Sequence, residues 1–238
     1  MYNTFTDTSG GEKKSRKWEG SQDLSAFISG LSGSGVTRER FIYDNAGIPE
    51  TINYLTAQIL TGNDDCCHKN YYVYRDSEGN REWRPLPWDV DLSYGRVWRN
   101  AESYFRDTMT WDTSLYVGQG NLFMSPFSDN SVPVLRQMYL RRLRTLVDTI
   151  LQPTSVPVAE RWVETQLSLL QPYIQPEADY ERLNAGWGTW GTAQTMTQAV
   201  DIIRNDYLNQ RRTHVFSQPE LPPSQSPTVV VNFGTVVF

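Results

Sequence analysis

The sequence has little cysteine, little histidine and no long apolar run, and each shortage argues against a class of protein. Its two cysteines, Cys66 and Cys67, are adjacent, and because adjacent cysteines rarely reach relaxed disulfide geometry we expect no structural disulfide. With only His68 and His214 beside them, the spacing also argues against a zinc site. No apolar stretch approaches the roughly 20 residues that span a bilayer, and the first residues lack the apolar core of a signal peptide.

Charge and composition argue against further classes of protein. The 238 residues carry a net charge of only −5, and aromatic side chains make up 13% of them, so the chain is globular rather than disordered. This mild acidity gives no electrostatic reason to propose a nucleic-acid or anionic-membrane partner. The length allows one large domain or two small ones.

Hydrophobic periodicity predicts a mainly helical α+β fold with one inserted β-hairpin. Apolar residues at three- and four-residue intervals predict a helix after Ser21 and another from Pro49 to Gly62. The runs NYYVYRD and REWRPLPW, separated by turn residues, predict the hairpin. Further helices are expected at 133–151, at 157–173, where Pro172 and Pro176 end the pattern, and at 193–215.

Polar residues with a possible metal–nucleotide role stand at both ends of this hairpin. Asp65 precedes Asn70 by five residues, and Asp89 and Asp91 follow the returning strand. Because a hairpin brings its two ends together, these four side chains should meet. The order resembles a kinase catalytic loop, in which an aspartate accepts the substrate proton while an asparagine and a later aspartate hold magnesium. We therefore predict Asp65 as the base, with Asn70, Asp89 and Asp91 as metal ligands.

Each of these residues also has an ordinary structural interpretation. The run GNDD is common in turns, Asn70 could hydrogen-bond to the backbone at the start of a strand, and an Asp pair could be a solvated strand end. The cationic residues His68 and Lys69 could neutralise phosphate charge or simply face solvent. The aromatic stretch at 96–130 could be a lid or substrate loop, although packing is its commoner role.

The stretches NYLTAQILTGNDD, HKNYYVYRD and PWDVDLSYG resemble the CotH family, the spore-coat-protein-H type of atypical kinases. The similarity extends over about residues 12–215. It implies a kinase-like fold, the use of ATP and Mg²⁺, phosphorylation of protein serine or threonine, and a secreted or cell-surface location. It matches Asp65 to the catalytic aspartate, Asn70 to the metal-binding asparagine, and Asp89 and Asp91 to the magnesium-binding acidic positions.

The sequence departs from a complete kinase at its amino-terminal end. Nothing before Ser21 has strand alternation, and the lysines there lie in a polar lead-in, so none is assigned to the phosphates. We expect a lead-in at 1–20, a carboxy-terminal kinase lobe at 21–216, a Pro/Ser-rich linker at 217–227 and the start of a β-rich domain at 228–238. With most of the amino-terminal lobe missing, this segment alone should be inactive.

These observations predict Mg²⁺-ATP-dependent transfer of a phosphoryl group to protein Ser or Thr. A second hypothesis is another ATP-dependent transfer on the same scaffold, such as adenylylation or amino-acid ligation. A third is a surface protein without catalytic activity that binds a partner through its aromatic segment. The expected partner is a protein substrate, with no nucleic acid and no membrane span, and the oligomeric state is left open.

Overall fold

The computed structural model describes residues 5–8, 11–63, 65–96, 115–118, 120–184 and 194–224, with side chains omitted at 181–184. The described part consists of helices and one antiparallel β-hairpin. The elements are α1 (Gln22–Leu31), α2 (Gly35–Asn45), α3 (Ile48–Thr61), β1 (Tyr71–Arg75), β2 (Trp83–Pro87), α4 (Ser125–Ser128), α5 (Pro133–Leu146), a π-helical turn (Val147–Leu151), a 3₁₀ turn (Val158–Glu160), α6 (Trp162–Asn184), α7 (Met196–Ile202), a second π-helical segment (Ile203–Leu208) and α8 (Asn209–Ser217). The prediction of a mainly helical α+β fold is confirmed.

Helix α3 leads directly to the predicted site, and its ends follow the sequence signals. Pro49 lies in the first turn, where its missing N–H costs no hydrogen bond. Gly62 ends the helix in the left-handed conformation with φ of +57°, and a Cβ there would collide with the ring of Tyr207. The helix therefore stops at a fixed point against the carboxy-terminal part of the chain.

The hairpin forms from the two predicted strand segments and is attached to the helices through β2. Tyr71 pairs with Pro87, and Arg75 pairs with Trp83. The Trp83 ring stacks on Phe27 with 5.4 Å between centroids. The Trp83 carbonyl also accepts the N–H of Gly47 at 2.9 Å, at the junction between α2 and α3. These contacts fix the start of β2 relative to α1 and to the α2–α3 junction.

The hydrophobic core lies between α3, α5 and the carboxy-terminal helices. Leu55 and Ile59 of α3 are fully buried, as are Leu135, Tyr139 and Leu143 of α5. Burial of each such side chain contributes about 1.5–3 kcal/mol in transfer free energy. At these residues the apolar sides predicted for α3 and α5 therefore face the core.

Helix α6 does not end at the two prolines, so the predicted end near residue 173 was wrong. It runs from Trp162 through Pro172 and Pro176 to Asn184. Both prolines lie on the exposed side of the helix. There the carbonyls that lose an amide partner can bond to water, and the rings meet no packed neighbour. Exposure thus reduces the usual cost of a proline inside a helix.

Residues near both ends of the described chain pack onto the body. Phe5, in the predicted lead-in, is 4% exposed, and its ring lies 5.6 Å from that of Phe123. Near the other end, Leu221 is 8% exposed, and Glu220 accepts a hydrogen bond from Arg136 at 2.8 Å. Of the predicted aromatic excursion, 97–114 and 119 lie outside the described residues, as do 225–238. No helix among the described residues is long and apolar enough to cross a membrane.

Candidate functional site

The loop that carries Asp65 begins at the end of α3, which residues of the carboxy-terminal helices hold in place. The carbonyl of Ile59 accepts two hydrogen bonds from the Arg211 guanidinium, at 3.1 and 2.6 Å. The carbonyl of Leu60 accepts the Tyr207 hydroxyl at 3.3 Å. The last carbonyls of a helix have no partner within it, so these side chains cap α3. The start of the loop is therefore fixed from the opposite end of the chain.

Asp65 is a nearly buried carboxylate that faces three donors of its own loop. It is 9% exposed. One oxygen, Oδ2, accepts Asn70 Nδ2 at 2.5 Å and lies 3.2 Å from Lys69 Nζ. The other, Oδ1, lies 3.2 Å from His68 Nε2. Donors around a carboxylate fix its direction, which suits a base that must orient a hydroxyl.

Two buried asparagines attach this loop to the rest of the molecule. Asn63 is 2% exposed; its Oδ1 accepts the Asp65 N–H at 3.0 Å, and its Nδ2 donates to Gln58 Oε1 at 2.8 Å. Asn121, also 2% exposed, donates to the Cys67 carbonyl at 3.0 Å. The sequence analysis assigned neither residue a role, because Asn63 lies in a run of ordinary turn composition and Asn121 in an aromatic stretch with weak periodicity. The signal that could have identified Asn63 is its position between a helix end and the predicted base.

Asp89 and Asp91 lie at the exit of the hairpin, close to Asp65. Limited desolvation, a hydrogen bond between the two carboxyls and repulsion from Asp91 and Asp65 raise the pKa of Asp89, while Lys69 opposes the rise. Asp89 also has a φ of +54°, and both side chains are exposed. The structure thus brings Asp65, before the hairpin, close enough to Asp89 and Asp91, after it, for their charges to interact.

The backbone after Asp91 returns to the end of α3. The Tyr94 N–H donates to the Thr61 carbonyl at 2.6 Å, and the Tyr94 ring packs edge-on against Tyr207 with 5.7 Å between centroids. The segments that carry Asp65 and Asp89 therefore share one anchor. This shared anchor explains how residues 24 positions apart come to face each other.

The expectation that the cysteines form no disulfide was wrong. Cys66 and Cys67 are joined by a disulfide, and their Cα atoms lie 3.1 Å apart across a cis peptide bond. Both residues are buried, at 1% and 3% exposure, directly after Asp65. Among the residues that the structure describes, no group of three or more His, Cys, Asp or Glu side chains is arranged to hold a metal ion.

A cavity of about 480 Å³ borders the acidic residues on the side of α3 and α7. Asp91, Tyr94 and Gln58 lie in its wall, and the remaining lining is largely apolar, from Ala57, Val90, Ala199, Ile202 and Ile203. This volume falls within the roughly 300–1,000 Å³ of typical ligand sites, which combine apolar walls with a few polar groups. Asp91 therefore belongs both to the carboxylate pair and to the wall of a space that could hold part of a substrate.

The arrangement combines two kinds of carboxylate. Asp65 faces nitrogen donors, whereas Asp89 and Asp91 face each other, and paired oxygens of this kind are ligands that a hard divalent cation prefers. Lys69 is the only lysine after Lys17 in the whole chain, and its ammonium lies 3.2 Å from Asp65 Oδ2. The site can therefore accept a proton, bind a cation and offer a positive charge to an anionic group.

Comparison with protein families is consistent with this geometry. The family model described as CotH kinase protein matches residues 3–215, which is most of the chain. The match begins closer to the amino terminus than the sequence resemblance indicated, and it includes Phe5. A comparison with curated proteins gave no significant match.

Proposed function

Because the chain belongs to the CotH kinase protein family, a kinase-like group, we propose that it forms the catalytic part of an enzyme that transfers the γ-phosphoryl group of ATP to protein Ser or Thr. One observation carries the proposal: the buried Asp65 carboxylate is oriented by His68, Lys69 and Asn70 and lies near Asp89. We propose further that the helices and hairpin correspond to a kinase-like carboxy-terminal lobe.

Mg²⁺ fits the pair formed by Asp89 and Asp91. The two carboxyls share a hydrogen bond that, with the charge of Asp91, raises the pKa of Asp89, and a divalent cation in place of the shared proton would relieve that repulsion. Asn70 donates its Nδ2 hydrogen to Asp65, which leaves its carbonyl oxygen as a neutral ligand. When bound, Mg²⁺ with ATP supplies the phosphoryl group and neutralises its negative charge.

Lys69 and His68 are the proposed contacts for the phosphates. Both extend from the loop that carries Asp65, and Lys69 is 43% exposed at its side chain, so it can turn from Asp65 toward an anion. Asp65 would then be released from one of its cationic neighbours. An ammonium acts on phosphate as a point charge, which requires no fixed geometry.

Asp65 is the proposed base and orienting group. Its carboxylate would accept the hydrogen of the acceptor hydroxyl as the new oxygen–phosphorus bond forms and the bond to the departing ADP breaks. Orientation of the hydroxyl contributes as much as the proton transfer, because phosphoryl transfer depends mainly on position and electrostatics. Burial of Asp65 among donors keeps the carboxylate in one direction.

The acceptor side of the site is proposed to be the cavity beside Asp91. Its apolar wall suits side chains that flank an acceptor Ser or Thr in a polypeptide, while the acidic residues remain at its edge. A secreted or cell-surface location follows from the spore-coat association of the family and belongs to this proposal. Other ATP-dependent transfers and a purely binding role are outcomes of the experiment below.

The proposal is tested with the full-length protein that contains this chain. Wild type and Asp65→Asn are incubated with Mg²⁺, ATP labelled at the γ-phosphate and an arrayed set of Ser- and Thr-containing peptides. We expect labelled product from the wild type and a loss of at least about 10²-fold in the variant, since general-base catalysis contributes about 10²–10⁴-fold. Asp44→Asn, an exposed carboxylate on α2, is the matched control and should retain activity.

Mass spectrometry of the products separates the chemical alternatives, since a phosphoryl group, an adenylyl group and a ligated amino acid differ in mass. Transfer of a different group would replace the kinase proposal with the second hypothesis. Binding of neither Mg²⁺ nor ATP by the wild type would favour the non-catalytic module.

A further inference from the structure

Asn63 is a buried side chain that joins the proposed base to helix α3. Its carbonyl oxygen accepts the backbone N–H of Asp65, and its amide donates to Gln58 Oε1. Its own backbone N–H donates to the Gln58 carbonyl at 3.1 Å. We infer that Asn63 is a positioning residue, which sets the direction of the Asp65 carboxylate by fixing the Asp65 backbone; as a catalytic statement, this inference rests on the proposed function.

The donors on the Asp65 carboxylate cannot perform this task alone. His68, Lys69 and Asn70 belong to the same loop as Asp65, so they move with it. Asn63 instead connects that loop to Gln58, a residue of the rigid helix that is 5% exposed. The direction of a side chain depends on its own backbone, and a misplacement of about 1 Å can cost a reaction about 10²-fold in rate. A hydrogen-bonded connection from α3 to the Asp65 amide would therefore prevent such a misplacement.

An asparagine side chain suits this position because of its chemistry. The site needs one acceptor for the Asp65 N–H and one donor for Gln58 Oε1, and an amide provides both in one plane. An aspartate at position 63 could still accept the Asp65 N–H, while Gln58 could turn its own amide to become the donor. That substitution would preserve the connection but add a negative charge beside Asp65.

The connection also reaches the proposed acceptor side. Gln58 lies in the wall of the cavity that borders Asp91. The Gln58 side chain, which belongs to α3, also accepts the hydrogen bond from the Asn63 amide. A group in the cavity would thus contact the residue to which the Asp65 loop is attached. Helix α3 therefore both holds the loop of the proposed base and lines the cavity. Functional groups supported by one rigid element in this way are expected of a well-ordered site.

The experiment compares Asn63→Ala and Asn63→Asp in the full-length protein. For Asn63→Ala we expect kcat to fall about 30- to 100-fold, while the KM for ATP changes by less than about 3-fold, because position of the base is affected rather than nucleotide binding. Asn63→Asp should retain kcat within about 10-fold of wild type, because its carboxylate can still accept the Asp65 N–H and so keeps the loop attached to α3.

Thr56→Val is the matched control for loss of a buried hydrogen bond on the same helix. Thr56 is fully buried, and its hydroxyl donates to the Ile52 carbonyl at 2.8 Å, a hydrogen bond within α3 itself. We expect this variant to lower the melting temperature without change in kcat. All rates are measured at a temperature at which circular dichroism shows each variant to be folded.

Hydrogen exchange at the Asp65 amide gives a readout that does not depend on activity. Asn63→Ala should increase the exchange rate there at least about 10-fold, since the amide loses its acceptor, and Thr56→Val should leave it unchanged. Unchanged exchange in Asn63→Ala, or equal loss of kcat in Thr56→Val, would overturn the inference. Should the wild type transfer no phosphate, the proposed function fails, and the exchange measurement alone decides whether Asn63 orders Asp65.

Discussion

At the scale of single residues, the site sets two carboxylate environments beside each other. Asp65 is surrounded by nitrogen donors, whereas Asp89 meets a second carboxyl at Asp91. Carboxylates in such different surroundings suit different roles in the proposed reaction, Asp65 as the base and Asp89 as a cation ligand. The repulsion between Asp89 and Asp91 also has a measurable consequence for stability.

We predict that Asp91→Asn stabilises the metal-free protein at neutral pH. The pKa of Asp89 is raised above the ordinary value of 3.8, so the folded state holds this proton more tightly than the unfolded state. Its favourable contribution is complete below the ordinary pKa and is lost as pH rises through the raised pKa. The variant removes the repulsion that remains, by less than about 1 kcal/mol because both side chains are exposed.

Thermal melts from pH 4 to 7.5 check this prediction. The variant should exceed wild type in melting temperature at pH 7.5, and the difference should shrink toward pH 4. Added MgCl₂ should raise the melting temperature of wild type more than that of Asp91→Asn, since a ligand stabilises the state that binds it. A variant that is less stable at every pH would contradict the assigned repulsion.

At the scale of elements, helix α3 is held by side chains from α8, and α8 in turn depends on a buried ion pair with α6. Arg212 is fully buried; its guanidinium donates to Glu164 Oε2 at 2.7 Å and to the Leu151 carbonyl at 2.8 Å. Arg211, its neighbour on α8, caps α3. The ion pair therefore supports the element that positions the site, although it lies apart from Asp65 in sequence.

We predict that Glu164→Gln lowers the free energy of unfolding by about 3–5 kcal/mol, because it leaves the Arg212 charge buried without a carboxylate partner. Urea titration followed by circular dichroism measures this change. Glu160→Gln, an exposed residue of the neighbouring 3₁₀ turn, is the control and should change stability by less than about 0.5 kcal/mol. Equal losses of unfolding free energy in both variants would contradict a stabilising contribution from the Arg212–Glu164 ion pair.

At the scale of the whole molecule, segments near both described ends of the chain belong to the packed body. Phe5 lies 6.0 Å from Phe27 and 5.6 Å from Phe123, measured between ring centroids. Leu221 joins the same set of buried apolar residues. A segment that is polar in sequence can still contribute one buried aromatic side chain to the core.

We predict that Phe5→Ala destabilises the protein by about 3–5 kcal/mol, the range for removal of a buried aromatic ring. Trp18→Ala is the comparison, since Trp18 also lies in the lead-in but is 82% exposed. Its effect should stay within about 0.5 kcal/mol. Chemical denaturation of both variants checks the prediction, and a loss of less than about 1 kcal/mol for Phe5→Ala would place this ring outside the core.

The predictability of the fold varied with the kind of interaction involved. Helix α3 and the hairpin followed their periodicity and turn residues, because these signals act within a few residues. The helix through Pro172 and Pro176 did not, since the cost of a proline depends on whether its side of the helix is exposed. Phe5 likewise could not be placed from a polar segment that shows no periodicity.

The sequence alone determined which chemical groups stand at the two ends of the hairpin and, through the turn, that these ends approach each other. Tertiary structure decided the rest of the site. Asn63 and Gln58 are joined across the end of α3, Arg211 caps that end from α8, and Tyr94 returns the second acidic segment to Thr61. The Arg211 and Tyr94 contacts depend on partners distant in sequence, which spacing along the chain does not reveal, and the Asn63–Gln58 contact depends on the burial of both side chains.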